Sequence, residues 1–216
     1  MTSNRQPLLI LGTHALAEEV WDLISDMPGF EVTGFVENMN RDRCGQTLEG
    51  LPILWIDDIA PYAETHKAIC ALGTTHRSRF IEQAAAFGFQ FATVVHPTAR
   101  VSTHSSVGDG TIISAGAIVA TRTEIGRHVF INRGALIGHH TQIGDYVSIM
   151  PGANVAGKCR IGDATYIGIG AIVIDGITVG EHSVIGAGSV VTRDVAANVQ
   201  VVGVPAVIAR ENISGK

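Results

Sequence analysis

Short apolar runs alternate with amphipathic stretches over the first 95 residues of the chain. The runs "PLLILG" and "EVTGFVEN" are typical of buried strands, and "ALAEEVWDLISDM" between them carries apolar residues at helical spacing. Three later runs predict strands and one predicts a helix that ends at Gly88, namely "LPILWI", "KAICALG", "FQFATVV" and "HRSRFIEQAAAFG". Strands that alternate with helices predict a small parallel α/β sheet.

A strict six-residue period replaces this alternation in the rest of the chain. Every sixth residue from Val101 to Val191 is Val or Ile, sixteen positions in all, and the residue four places later is small or β-branched. This period predicts a parallel β-helix in which three hexads form one triangular coil around an aliphatic interior. Glycine directly follows the aliphatic residue in eight hexads, where we expect it to supply the positive φ of the corners. The change of pattern predicts two domains, residues 1–95 and residues 96–216.

Charge and composition exclude several classes of function. A net charge of −5 predicts no nucleic-acid partner, and no apolar run reaches 18 residues, so no membrane span is expected. The apolar stretch in "MTSNRQPLLILG" is too short for a signal peptide. Cys44, Cys70 and Cys159 are far apart and odd in number, which is typical of reduced thiols in a cytoplasmic protein.

Five segments carry a resemblance to a known enzyme family: "LILGTHALAEEV", "GQTLEGLPIL", "GFQFATVVHPTARVS", "INRGALIGHHTQIGDYVSIMPGANVAG" and "VVGVPAVIAR". The chain resembles the hexapeptide-repeat sugar acyltransferases of bacterial polysaccharide and glycan synthesis. These include sialic acid O-acetyltransferase-like proteins and the bacillosamine and perosamine N-acetyltransferases. The resemblance implies a Rossmann-like domain over 1–95 that holds a nucleotide-linked sugar. It implies a left-handed β-helix over 96–216 that forms homotrimers and uses acetyl-CoA as cosubstrate.

His139 is the candidate general base. It lies two places after Ile137, off the interior track, and an imidazole with an ordinary pKa of about 6.5 suits proton removal from an attacking amine or hydroxyl. From spacing alone, His139 could also be a solvated histidine at a corner. The resemblance implies that His139 is the base, at an interface of two subunits. His140 stands where many relatives carry an acid, and we expect it to be an outward turn residue or an acceptor contact. The two adjacent rings should point to different sides.

The resemblance also implies a cosubstrate site. The backbone N–H of Gly157 in "NVAGK" matches the family's donor to the oxyanion that forms when the thioester carbonyl is attacked. Ser148, Ile169 and Ala187 match its contacts to CoA. Some relatives have histidine in place of Ser148, so a side-chain hydrogen bond to the thioester carbonyl is changed or lost here.

The turn after the first strand is the candidate substrate site. In "LLILGTHALAEE" this turn leads into a helix and can present backbone N–H groups of Gly12, Thr13 and His14 to a diphosphate. The family usually has several glycines here, of which only Gly12 remains, so the backbone approaches a diphosphate less closely. Glu37, after the second strand, is expected to bind a ribose hydroxyl or to be a surface acid at the strand end.

Two other functions remain open for a hexapeptide β-helix. A zinc hydratase needs three histidine ligands converging across a subunit interface, but the histidines from residue 96 onwards contain no H-x4-H pair. A non-catalytic trimeric ligand-binding or scaffold protein would account for the glycine-poor turn and for the missing acid beside His139. The favoured prediction is transfer of an acetyl group from acetyl-CoA to an amine or hydroxyl of a sugar, without a metal.

Overall fold

The computed structural model describes residues 5–216. They form two compact units, one made of the residues up to Gly73 together with Arg77–Val94 and the other of Thr74–His76 with Val95–Lys216. No helix in this part of the chain is both long and apolar enough to cross a membrane.

The N-terminal unit is a six-stranded sheet with two α-helices. Its elements are β1 (Gln6–Leu11), α1 (Ala15–Ser25), β2 (Phe30–Glu37), β3 (Thr47–Leu48), β4 (Leu51–Trp55), β5 (Lys67–Cys70), α2 (Ser78–Ala86) and β6 (Gln90–Phe91). Short 3-10 helices span Arg41–Arg43, Ile56–Asp58, Ala60–Tyr62 and Thr75–Arg77. The sheet order is β3-β4-β2-β1-β5-β6, and all pairs except β3–β4 are parallel. The predicted parallel α/β sheet is confirmed.

The C-terminal unit consists of very short strands. They are β7 (Val94–Val95), β8 (Arg100–Val101), β9 (Ser106–Val107), β10 (Ile112–Ile113), β11 (Ile118–Val119), β12 (Glu124–Ile125), β13 (Phe130–Ile131), β14 (Leu136–Ile137), β15 (Gln142–Ile143), β16 (Ser148–Ile149), β17 (Asn154–Val155), β18 (Arg160–Ile161), β19 (Tyr166–Ile167), β20 (Ile172–Val173), β21 (Thr178–Val179), β22 (Val184–Ile185), β23 (Val190–Val191), β24 (Gln200–Val202) and β25 (Val207–Arg210). The run "FQFATVV", predicted as one strand, is divided between β6 and β7.

These strands form the three faces of a left-handed parallel β-helix, as predicted, except that β25 pairs antiparallel with β24. The first face contains β7, β10, β13, β16, β19, β22, β24 and β25, the second contains β8, β11, β14, β17, β20 and β23, and the third contains β9, β12, β15, β18 and β21. Each hexad strand pairs with the strand one coil later, as Leu136 pairs with Asn154 and Ile137 with Val155. The second residue of each pair points inward, so the predicted Val and Ile track forms the core.

The glycines that follow the aliphatic residues have a different cause from the one predicted. Gly138 is not in the left-handed region, and a Cβ added to it would lie 2.4 Å from the backbone nitrogen of Gly157 in the next coil. The positive φ falls two residues later, at positions that carry either glycine, such as Gly134 (66°), or a side chain, such as His140 (57°) and Lys158 (60°). Close contact between coils selects glycine here, and the corners accept other residues.

Buried hydroxyls tie one coil to the next on the small-residue track. The Thr141 hydroxyl donates to the carbonyl of Ala156 at 3.0 Å, and Thr123 and Thr111 make the same bond at their own corners. Cys159 continues this track, and its thiol lies 3.2 Å from the carbonyl oxygen of Ile174. Burial raises the pKa of this thiol, so it stays protonated and serves as a donor.

The outward side chains differ between faces of the β-helix. On the second face, Ile118, Leu136 and Ile172 point outward and are 42%, 40% and 41% exposed. On the third face the outward residues are polar: Ser106, Glu124, Gln142, Arg160 and Thr178. Asn154 lies between Leu136 and Ile172 on the second face. Exposed apolar side chains on this face, opposed to the polar third face, are typical of a surface that another protein chain covers.

Candidate functional site

His139 lies at the corner where the chain leaves the second face. It follows β14, and its backbone is held because its carbonyl accepts a hydrogen bond from the N–H of Lys158 at 2.8 Å. The side chain is exposed, as expected for a residue off the interior track. The corner therefore presents an imidazole on a backbone that is fixed on both sides by β-helix hydrogen bonds.

The imidazole of His139 lies against the backbone of Gly157, one coil later. A Cβ added to Gly157 would come within 2.9 Å of both Cε1 and Nε2 of this ring. Gly157 is the only glycine among the sixteen residues that stand two places after the aliphatic positions. Since the others all carry side chains, the corner itself does not require glycine. The His139 ring occupies the space that a side chain at position 157 would fill.

His140 does not point away from His139, contrary to expectation. The two Nδ1 atoms are 3.0 Å apart and the ring planes are almost perpendicular, at 89°. The backbone of His140 has a φ of 57°, in the left-handed region. The expectation that the two rings point to different sides is therefore wrong. His140 is an exposed residue of the turn, and the two histidines form a hydrogen-bonded pair.

The amide of Gly157, predicted as the oxyanion donor, is already bonded within the chain. It donates to Oδ1 of Asp175 at 3.1 Å. Asp145 and Asp163 occupy the same hexad position and accept the equivalent amides of the coil below, at 2.7 and 2.9 Å. Sequence reasoning missed Asp175, although an aspartate that recurs at this one hexad position was a usable signal.

Ile169 and Ala187 lie at a different corner, where the chain leaves the first face. Both are exposed and line a groove of about 360 Å³ together with C-terminal residues that include Lys216. The Nζ atom of Lys216 lies 4.3 Å from the ring centroid of Tyr166, which also lines the groove. Ser148 pairs with Tyr166 in the ladder but is fully buried and does not line the groove.

A single chain therefore does not bring the predicted catalytic and CoA-binding residues together. His139 follows the second face, whereas Ile169 and Ala187 precede it, so the two sets lie at opposite edges of that face. The apolar stripe of Ile118 and Leu136 lies between these edges. Within residues 5–216, no group of three or more His, Cys, Asp or Glu side chains is placed to hold a metal.

The predicted substrate residues of the N-terminal unit do lie together. Gly12 has a φ of 130°, and a Cβ there would lie 3.1 Å from the carbonyl oxygen of Ala71, which explains why this glycine is kept. His14 caps α1 without a side-chain cap bond, and its Nδ1 instead lies 3.0 Å from the guanidinium of Arg43. Arg43 also donates to the carbonyl of Thr13. Sequence reasoning missed Arg43, because nothing in its spacing links it to the first turn.

Glu37 stabilises the wall of this site. It is 6% exposed, and its carboxylate accepts hydrogen bonds from the Thr13 hydroxyl and from the amides of Asn38, Met39 and Asn40. Burial alone would raise the pKa of Glu37, but these hydrogen bonds outweigh it and hold the pKa below its ordinary value. With both oxygens bonded inside the protein, the carboxylate fixes the loop after β2 and offers little surface to a ribose.

Comparison with known proteins identifies the repeat. Residues 122–157 and 158–193 match the family described as bacterial transferase hexapeptide (six repeats). No curated protein is a significant match to the sequence. The predicted hexapeptide array is thereby confirmed.

Several solved structures are similar to nearly the whole chain. Perosamine N-acetyltransferase from Caulobacter crescentus, a histidine variant in complex with CoA and GDP-perosamine, is 28% identical with a TM-score of 0.87, over 95% of this chain and 97% of that one. The acetyltransferase domain of PglB from Neisseria gonorrhoeae FA1090, in complex with acetyl coenzyme A, is 27% identical with a TM-score of 0.86, over 95% and 100%. WeeI from Acinetobacter baumannii AYE is 26% identical with a TM-score of 0.86, over 93% and 98%. The resemblance to sugar acetyltransferases is confirmed.

The lowered pKa of Glu37 predicts a pH-dependent contribution to stability. Its hydrogen bonds stabilise the N-terminal unit above the ordinary pKa of 4.5, and this contribution is lost as the pH falls through the lowered value. Glu37→Gln should reduce the free energy of unfolding by about 1–3 kcal/mol at neutral pH, because an amide NH₂ replaces one acceptor oxygen. Urea denaturation can be followed through Trp21 and Trp55, both in this unit.

The control for this substitution is Glu31→Gln, which changes an exposed acid of the same strand. It should leave the unfolding free energy nearly unchanged at every pH. An equal effect of Glu37→Gln above and below the ordinary pKa would show that the charge of Glu37 does not stabilise the loop.

Proposed function

We propose that this protein transfers an acetyl group from acetyl-CoA to an amine or hydroxyl of a nucleotide-linked sugar, with His139 as general base. The observation that carries the proposal is the exposed imidazole of His139 over Gly157. It occurs in a chain similar over nearly its whole length to acetyltransferases solved with CoA, acetyl-CoA and GDP-perosamine.

The chemistry needs a base but no redox agent. Nε2 of His139 takes the proton of the acceptor N–H or O–H as the acceptor atom attacks the thioester carbonyl. The tetrahedral intermediate then collapses, the carbon–sulfur bond breaks, and the acetyl group stays on the sugar. The imidazolium returns its proton to the departing thiolate, which gives CoA as a thiol and restores the base.

Oxyanion stabilisation is assigned to the amide of Gly157, which lies next to the base. Because this amide donates to Asp175 in the single chain, the role requires the Asp175 carboxylate to turn aside when the thioester binds. Ile169 and Ala187 supply the apolar wall and backbone contacts of the CoA groove. Ser148 is fully buried, so its hydroxyl packs inside the chain and does not reach a thioester.

The nucleotide part of the acceptor is assigned to the turn of Gly12, Thr13 and His14. Arg43 adds a cation to this turn, and its Nε is buried without an acceptor among residues 5–216. A guanidinium beside the turn is suited to a diphosphate, whose oxygens accept charge-assisted hydrogen bonds. Arg43 thus compensates for the glycines that this turn lacks.

The active form is proposed to be a homotrimer. In a cyclic assembly each copy uses two different surfaces, one towards each neighbour. The second face supplies an apolar stripe with His139 at one edge and Ile169 at the other. Packing around a threefold axis lets the base of one copy meet the CoA groove of the next, which completes a site that one chain leaves divided.

Replacement of the base tests the catalytic role. His139→Ala should lower kcat/KM for acetyl transfer by roughly 10²- to 10⁴-fold, because no other group takes the acceptor proton. The measurement is release of free thiol from acetyl-CoA with a panel of amino-sugar nucleotides, and His182→Ala is the control at another corner. Full activity of a folded His139→Ala protein would exclude His139 as the general base. Acetyl-CoA binding without thiol release for any acceptor would favour a non-catalytic binding protein.

Gly157→Ala tests whether the space beside the ring is functional. The added Cβ meets the movable His139 ring and not the backbone of a neighbouring coil, so the ring should be displaced while the fold is kept. We expect kcat to fall about 10- to 100-fold, since a small misplacement of a reacting group is costly. The melting temperature should change little. Thr121→Ala, at the same hexad position two coils earlier, should leave both unchanged, and a fully active Gly157→Ala would contradict this geometry.

A charge on the apolar stripe tests the trimer. Ile118→Glu should convert the protein to monomers and abolish acetyl transfer, because the interface would bury three unpaired carboxylates. Light scattering and thiol release measured on the same samples give both quantities. Thr178→Glu, on the polar third face, should remain trimeric and active. A trimeric, active Ile118→Glu protein would place the interface elsewhere.

A further inference from the structure

In the hydrogen bond between His139 and His140, one ring is the donor and the other is the acceptor. Their Nδ1 atoms are 3.0 Å apart, and the ring centroids are 5.1 Å apart with the planes at 89°. Only one hydrogen can lie between two such nitrogens, so one ring donates and the other accepts. The accepting ring must be neutral at Nδ1 and carries any hydrogen on Nε2.

The two directions have opposite consequences for catalysis. If His139 donates through Nδ1, its Nε2 keeps a lone pair and can take a proton. If His140 donates, the neutral His139 has its hydrogen on Nε2 and no nitrogen left to act as base. We infer that His140 is a positioning residue that accepts the Nδ1–H of His139 and so keeps Nε2 free. This inference rests on the proposed role of His139 as base.

The backbone of His140 is suited to this task. Its φ of 57° lies in the left-handed region, and its N–H donates to the carbonyl of Thr121 at 3.0 Å. The ring is therefore presented from a fixed corner and not from a mobile loop. When Nε2 of His139 takes the acceptor proton, the Nδ1–H bond to His140 becomes charge-assisted and strengthens. The proton on Nε2 of His139 then passes to the departing thiolate.

Two substitutions at His140 distinguish the effect of its acceptor atom from the effect of its backbone conformation. Oδ1 of an asparagine is attached through the same number of bonds as Nδ1 of a histidine, and asparagine tolerates a left-handed φ. Glycine also fits this φ but offers no acceptor. His140→Gly should lower kcat about 10- to 100-fold with the KM for acetyl-CoA unchanged, and His140→Asn should restore most of the loss. His182→Gly, at a corner residue with a φ of 55°, is the matched control and should keep full activity.

The tautomer of His139 gives a readout that does not depend on activity. Long-range ¹H–¹⁵N correlation spectra of ¹⁵N-histidine-labelled protein should show hydrogen on Nδ1 of His139 and on Nε2 of His140, assigned by loss of signals in His139→Gln. In His140→Gly the Nδ1-bound form of His139 should no longer predominate. Hydrogen on Nε2 of His139 in the parent protein overturns the inference, as does a fully active His140→Gly.

The spectra also separate this inference from the proposed function. If no acceptor is acetylated, the base assignment fails, but hydrogen on Nδ1 of His139 still supports His140 as the acceptor that positions the ring. If transfer occurs with the reversed tautomer, the proposed function stands and the positioning role of His140 is rejected.

Discussion

Each coil of the β-helix lies directly on the one before it, because the backbone N–H groups of one coil donate to carbonyls of the next. Gly138 donates to Val155 at 2.7 Å, and Gly162 donates to Val179 at 2.8 Å. With Val or Ile inside every hexad, any shift by one residue would turn the aliphatic track outward. Register and core therefore enforce one another, and every side chain has neighbours fixed at the same position of adjacent coils.

This register determines where chemistry is possible. A corner residue of the hexad array lies next to the residue eighteen places before or after it, as His139 lies next to Gly157. The spacing shortens to sixteen in the last coil, where Val184 pairs with Gln200. At two other corners the later residue caps an amide, as Asp145 does for Arg127 and Asp163 does for Asp145. A glycine at one such position opens a recess for a ring. The candidate site is thus a local exception to the repeat.

The period of the sequence was sufficient to predict the β-helix, since one hexad position alone defines the core. It was also sufficient to select His139, whose register places it outside the core. It did not predict the contact between the His139 and His140 rings, because the period does not fix the side-chain torsions of corner residues. Nor did it reveal Arg43, whose partners Thr13 and His14 are brought to it by the sheet order. Contacts set by long-range topology leave no periodic signal.

The column of corner residues around His140 explains how a neutral ring can serve beside a base. Arg122 and Lys158 occupy the same corner position one coil earlier and one coil later, with φ values of 53° and 60°. A carboxylate at this place would have two flanking cations as alternative ion-pair partners, and each would compete with His139 for its oxygens. A neutral imidazole attracts neither cation strongly, so its one lone pair stays available to the adjacent Nδ1–H. At this position the imidazole is a weaker acceptor than a carboxylate but is more selective for the Nδ1–H of His139.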